Sequence, residues 1–284
     1  MIVNHSLGQL GRLGNQLFQV AATLSHAKRV GEEAVFNPWP YRNYFERKIT
    51  CRTDLGCMII NGIPHEMVHQ PQIHYVPIPE NKNLILIGWF QSYKYINEEL
   101  IKEYFQPCNE LIQKIEQATK KFPLNYYHIT NIAIHVRRTD FVTPSKDMTP
   151  NYHNVLGMDY YKDALMCLLC SMDRVKSKTN VTIFSDDIPW CRQEFPKLNL
   201  PVNFYYSEGN SDIVDMYLMA SHNHQIIANS SFSWWGAWLN RVIYAYSDHR
   251  KNQVVIAPKQ WFGPAGIAEH DNTEDIYCPG WVIM

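Results

Sequence analysis

The 284 residues are 46% hydrophobic and 19% charged, and 26 basic residues against 27 acidic ones leave a net charge of -1. That balance excludes a disordered chain, and it excludes a general field favouring nucleic acid or anionic lipid, so any anion must be held by a local site. The longest nearly apolar run, Ala164 to Met172, is too short to span a bilayer, and no basic segment followed by an apolar core opens the chain, so no transmembrane anchor is expected.

After a short strand-like piece, Gly8, Gly11 and Gly14 recur at steps of three and lead into Asn15-Gln16-Leu17-Phe18-Gln19. Leu17, Val20, Ala21, Leu24, Ala27 and Val30 then repeat every three or four residues, which predicts a helix with one buried face. A glycine turn at a helix's amino end can hold phosphate through exposed N–H groups and the helix dipole; an ordinary strand-to-helix turn fits equally well. Residues 32–79 are interrupted by Pro38, Pro40, Pro64, Pro71, Pro77 and Pro79, which predicts irregular loops and short helices. His65, His69 and His74 lie there without acidic partners at ligand spacing and receive no metal role. Asn83 to Gly88 reads as a buried strand running into Trp89-Phe90-Gln91-Ser92. Asn97 is placed to cap a helix, Pro107 interrupts it, and a second helix follows from Asn109 to about Lys121. The lobe boundary is set in 122–130, giving lobes of 1–127 and 128–284.

The stretch Ile132 to Asp140 organises the rest. An apolar strand ends there in His135, Arg137, Arg138 and Asp140, and ligands of open α/β sheets gather at the carboxyl ends of strands. Two planar, permanently charged forks at such a place suit a diphosphate. A loop rich in Pro, Thr and Asn follows (141–157), a conceivable lid, and then a helix from Asp159 to about Met172. Cys167 and Cys170 form a lone Cys-x-x-Cys inside that helical pattern, which predicts buried thiols in place of metal ligands or a redox pair; seven irregularly spread cysteines suit reduced thiols and a cytoplasmic setting. Strands at Val181–Phe184, Val202–Tyr206, Gln225–Ala228 and Val254–Ala257 alternate with helices near Trp190–Phe195 and Ser211–Ser221, so the second lobe should be parallel and doubly wound. Asn229-Ser230-Ser231-Phe232-Ser233-Trp234-Trp235-Gly236 opens a helix with hydroxyls that either cap it or hold phosphate oxygens. The tail from Trp261 reads as loop.

The stretches Gly11 to Gln19, Gly88 to Ser92, His135 to Asp140 and Asn229 to Gly236, in that order, resemble the α-1,2-fucosyltransferases of glycosyltransferase family 11. The resemblance implies an α/β fold of GT-B type, two Rossmann-like lobes with a cleft between them, the second lobe holding most of GDP-fucose. It implies transfer of L-fucose from GDP-β-L-fucose to the 2-hydroxyl of a galactose-terminated glycan, with inversion, and no metal or other cofactor. Arg137 would hold the β-phosphate, with Arg138 either assisting or bracing the lobe, and His135 would lie near the nucleotide. Gly14, Asn15 and Gln16, together with Ser230, Ser231 and Phe232, would close on the diphosphate, and Asp186 or Asp187 would read the guanine.

The chemistry of these residue types agrees. A departing diphosphate needs its growing charge stabilised, which arginines or a metal can do, and arginines are the reading favoured here. Asp186-Asp187 superficially resembles a metal-binding Asp-x-Asp, but adjacent acids at a strand end fit a base edge or a helix cap as well. Asp140 either takes the acceptor's proton or braces an arginine. Two rivals stay open: a fucosyltransferase with a different acceptor, and a nucleotide-sugar or glycan-binding protein without turnover.

Overall fold

The computed structural model describes all residues except 56–57, 123–128, 145, 147–148, 172–177, 244–252 and 271. The chain divides into two units, Met1–Ile112 with Asn272–Cys278, and Gln113–Asp271 with Pro279–Met284. The boundary expected at 127/128 lies outside the described residues.

In the first unit the chain runs through β1 (Ile2–Asn4), α1 (Leu13–Val30), β2 (Ala34–Phe36), β3 (Thr50–Cys51), β4 (Ile59–Ile60), β5 (Ile63–Pro64), β6 (Glu66–Gln70), β7 (Leu84–Gly88) and α2 (Glu98–Tyr104), and it enters α3 (Asn109–Thr119). Five strands form a parallel sheet in the order β3-β2-β1-β7-β6, and β4 pairs with β5 as an antiparallel hairpin. The period from Leu17 to Ala27 lies on α1, but the helix is buried on every side and not on one face, with Phe18, Ala22, Thr23 and His26 buried as well, and it ends at Gly31 in the left-handed conformation (φ 71). Ile2, Ala22, Ala27, Leu84, Leu86 and Phe90 pack as its core. Asn97 caps α2, its Oδ1 accepting the Leu100 N–H at 3.1 Å.

Residues 32–79 depart from the loop expectation, since β2, β3 and β6 all come from them. Their prolines leave the parallel ladder intact: Pro40 begins a 3₁₀ turn, Pro64 lies in the short strand β5 opposite Ile59, and Pro71 follows β6. β6 is an edge strand with exposed Glu66, Met67 and His69, so it carries little apolar pattern and is held by backbone pairing to β7. That pairing requires glycine at 88, where φ is 154 and a Cβ would stand 2.1 Å from the Gln70 carbonyl oxygen.

The second unit continues α3 and contains β8 (Ile129–Val136), α4 (Thr139–Val142), α5 (Met158–Ser171), β9 (Lys178–Ser185), α6 (Ile188–Glu194), β10 (Asn203–Tyr206), α7 (Asp212–Ala220), β11 (His224–Ile226), α8 (Ser231–Trp238), α9 (Asn240–Ile243), β12 (Val255–Ala257), α10 (Pro264–Glu269) and β13 (Val282–Ile283). All six strands are parallel, in the order β10-β9-β8-β11-β12-β13. Counted within this sheet the order is 3-2-1-4-5-6, that of dinucleotide-binding folds. Ile132, Ile134, Val181, Ile183, Ile226 and Ile256 form its core with Tyr161, Leu165 and Leu168 of α5.

Two expectations fail here. Cys167 and Cys170 are exposed. The buried face of α5 is Tyr161, Ala164, Leu165 and Leu168, and at 3.6 residues per turn Cys167 and Cys170 fall roughly 120° and 180° away from it. The tail is also structured, through α10, β13 and a 3₁₀ turn at Glu274–Ile276. Residues Asn272–Cys278 belong with the first unit, where Asp275 accepts the Tyr75 N–H at 2.9 Å and pairs with Lys94, although the sequence expectation places all of 128–284 in one lobe. Elements of two to six residues are too short to show a period. No described helix is long and apolar enough to cross a membrane.

Candidate active site

In the second sheet the chain order reverses between β8 and β11, and ligands of such sheets bind outside the carboxyl ends of the strands at that reversal. The segment after β8 carries Arg137, Arg138 and Asp140, and the segment after β11 carries Ser230, Ser231 and Phe232. They meet where the rings of His135 and Phe232 pack with centroids 5.0 Å apart. The next strand along, β9, is followed directly by Asp186 and Asp187.

The two arginines are held by these acids. Arg137 donates from Nη2 to Asp140 Oδ2 at 2.5 Å and lies 3.2 Å through Nη1 from Asp186 Oδ2. Arg138 directs Nε to Asp187 Oδ2 at 3.4 Å and stacks its guanidinium 3.8 Å from the Trp190 ring centroid. Asp186 also accepts the backbone N–H of Arg138 at 2.9 Å and of Thr139 at 3.2 Å, and the Thr139 hydroxyl at 2.5 Å. It thereby fixes the first turn of α4 onto the end of β9. Asp187 caps α6 by accepting the Trp190 N–H at 3.2 Å. Both carboxylates named as candidates for a base edge are thus occupied by protein donors. A guanidinium has five N–H donors, so the contacts that orient Arg137 leave donors for an anion.

Burial raises the Asp186 pKa, but the Thr139 hydroxyl, the Arg137 charge and the Arg138 N–H outweigh it, and the acid ends below its ordinary value. His135 is buried, and burial followed by the neighbouring Arg137 charge pushes it far below 6.5, so it is neutral at pH 7. At the start of α8, Ser230 Oγ accepts the Phe232 N–H at 3.3 Å, the capping role open to a serine there. Asn229 ties the start of the helix down by donating 2.8 Å bonds to the carbonyls of Asn154 and Trp261.

The remaining sequence-predicted residues lie in the first unit, where the reversal falls between β1 and β7. Gly14 and Asn15 stand in the first turn of α1, which begins at Leu13 and takes in the last of the three glycines. Gln91, after β7, donates to Asn15 Oδ1 at 2.6 Å across the reversal. Gln16 is spent on structure: it donates to the Gly11 carbonyl at 2.9 Å and accepts the Trp39 indole N–H at 2.9 Å. Phe90, fully buried, has φ 52, a conformation rare outside glycine and most frequent near functional sites.

Sequence reasoning missed the surroundings of Arg137. Its guanidinium lies 5.5 Å from the Phe141 ring centroid, and Phe141 stacks on His153 at 4.0 Å. Burial above all, with a further push from Arg137 set against the opposing Asp140, lowers His153 to about 4. Neither residue has a periodic signal, because the contact spans a loop.

The model for Glycosyl transferase family 11 matches residues 5–284. The chain belongs to glycosyl transferase family 11. Among relatives of this family 11 chain, the O-antigen biosynthesis glycosyltransferase WbnK of Escherichia coli is 34% identical over 204 residues, 70% of this chain and 60% of that protein. The alpha-1,2-colitosyltransferase of Escherichia coli is 32% identical over 183 residues, 62% of this chain and 55% of that protein. The chain thus spans less than two thirds of either relative. The galactoside 2-alpha-L-fucosyltransferase of Caenorhabditis elegans is 23% identical over 258 residues, 81% of this chain and 67% of that protein. POFUT1 in complex with GDP matches the structure at a TM-score of 0.53 and 14% identity, over 90% of this chain and 97% of that one. NodZ alpha-1,6-fucosyltransferase soaked with GDP-fucose matches at 0.50 and 15%, over 84% and 91%. The fold of this family 11 member is therefore of GT-B type, with two parallel α/β units.

Proposed function

We propose that this protein is an inverting glycosyltransferase that moves L-fucose from GDP-β-L-fucose to the 2-hydroxyl of a terminal β-galactoside, its leaving diphosphate stabilised by arginine and not by metal. The observation that carries the reading is Arg137, fixed by two carboxylates at the carboxyl end of β8, at the reversal of a 3-2-1-4-5-6 sheet. The bond from the acceptor's 2-oxygen to C1 of the sugar forms as the bond from C1 to the phosphate oxygen breaks, and the electron pair leaves with GDP. Arg137 meets that growing charge, and the α8 start adds a dipole of the same sense. The hydroxyl proton goes to Asp140 in this scheme although that acid also braces Arg137, and a loose transition state lowers the demand on it as a base. Named activities of the relatives support the 2-position and the galactoside.

The colitosyltransferase relative favours a second reading in which the sugar moved is the 3-deoxy analogue of L-fucose. GDP release from GDP-fucose that depends on an added β-galactoside, with an α-1,2 linkage in the product, is the expected result. GDP-colitose turned over in preference to GDP-fucose selects the second reading. Tight sugar-nucleotide binding with no acceptor-dependent release would leave a binding protein.

A further inference from the structure

The second unit contains a cavity of about 410 Å³ lined by Phe141, Val142, Asn151, His153, Val155 and Pro264 among others. It adjoins the arginine centre, because Phe141 is both a wall of the cavity and the ring beside the Arg137 guanidinium. Resting on the reading of Arg137 as the phosphate clamp, we propose that this cavity seats the 6-deoxyhexose ring of the nucleotide donor and selects it by its methyl group.

Position is the first argument. A single oxygen joins the sugar's C1 to the β-phosphate, so a sugar on a phosphate held by Arg137 can reach the Phe141 ring, whose centroid is 5.5 Å from that guanidinium. Size is the second: ligand pockets run from about 300 to 1,000 Å³, and this one, near the lower end, suits one sugar ring better than a nucleotide or an oligosaccharide. Chemistry is the third. Val142 and Val155 are 48% and 39% exposed, and with Pro264 they give an apolar wall that a C6 methyl can cover. A hydroxymethyl group in the same place would set a hydroxyl against this apolar wall, which a hydrophobic pocket discriminates by at most about a hundredfold. On the polar side Nδ1 of His153 is buried without a hydrogen-bond partner among the described residues, and the ring stays neutral at pH 7, so it can meet a sugar hydroxyl as donor or acceptor.

Rigidity is the fourth. The segment bearing Asn151 and His153 is pinned to the start of α10, where the Gly263 N–H donates to the Tyr152 carbonyl at 2.8 Å and the Ala265 N–H to the Asn151 carbonyl at 3.2 Å. A Cβ on Gly263 would stand 2.3 Å from the Asn151 carbonyl oxygen, so the close approach depends on glycine. The cavity is therefore held by backbone pairing.

Titration calorimetry with GDP, GDP-fucose and a β-galactoside, and transfer kinetics with GDP-fucose against GDP-L-galactose, which restores the 6-hydroxyl, test the assignment on the full chain. Wild type should prefer GDP-fucose by up to about a hundredfold in kcat/KM. Val142→Trp fills the cavity from an exposed position; it should leave GDP affinity within about twofold and raise the GDP-fucose KM at least tenfold. His153→Phe keeps the stack, removes the ring nitrogens and should act in the same direction. GDP-fucose binding and KM unchanged in both variants, or a rise in the galactoside KM alone, overturns the cavity assignment while leaving the phosphate clamp standing. Wild type that fails to bind GDP overturns the clamp and the cavity together.

Discussion

Asp186→Asn removes one charge from the centre with almost no change in volume. The carboxylate receives two backbone N–H groups, one hydroxyl and the Arg137 guanidinium, with its side chain only 19% exposed. An asparagine can keep the bonds made to one oxygen but turns an NH₂ toward the donors of the other. Hydrogen bonds to a charged group contribute about 1.5–3 kcal/mol each, and since those lost share one residue and do not add, the net loss is about 2–4 kcal/mol. At about 2–4 °C per kcal/mol for chains of this size, the melting transition should fall by roughly 5–15 °C. The sign with pH follows from the depressed pKa: the contribution is complete above the ordinary carboxylate value of 3.8 and is lost as pH falls through the lower folded value. Thermal melts of the two proteins should therefore differ by a constant gap from pH 8 to pH 5, closing only below about pH 4. An unchanged melting temperature at pH 7, or a gap that closes between pH 8 and pH 6, would refute Asp186 as the acid that joins β9 to the arginine turn.

Other consequences are as direct. His135 is neutral when folded because burial lowers its pKa, so the unfolded chain takes up a proton that the folded one refuses, and stability falls as pH drops below 6.5. The cost is about 1.4 kcal/mol per pH unit, and His135→Gln should flatten the dependence of denaturant midpoints between pH 7 and pH 5. Gly88→Ala sets a methyl 2.1 Å from the Gln70 carbonyl oxygen and should lower the melting point or abolish soluble expression; a wild-type melt would contradict the reading of β6. Transfer measured in EDTA should match that in buffer, and full activity restored by a divalent ion after chelation would contradict the arginine reading.

How much the sequence discloses depends on the kind of element. β8 is legible because eight residues with an apolar run end abruptly in charges, and α8 because its start is crowded with hydroxyls. That Asp140 pairs with one of the two arginines is legible because all three lie within four positions, but which one it meets, Arg137, is set by the short helix α4 that the sequence does not announce. Asp186 is not, since its partners Arg138 and Thr139 lie in the turn after β8, 48 and 47 positions away, and only the register of β8 against β9 brings them together. β6 escapes because an edge strand needs no apolar alternation, and the Phe141–His153 stack because loop contacts have no period. The return of Asn272–Cys278 to the first unit rests on Asp275 meeting Tyr75 and Lys94, partners that no local pattern announces.

Arg137→Ala carries the central test. With folding checked by its melt, GDP binding measured by calorimetry should weaken at least a hundredfold, about 2.8 kcal/mol at 1.4 kcal/mol per tenfold, and acceptor-dependent transfer should disappear. A folded Arg137→Ala protein that binds GDP within twofold of wild type and still transfers sugar would contradict the assignment of the leaving diphosphate to this guanidinium.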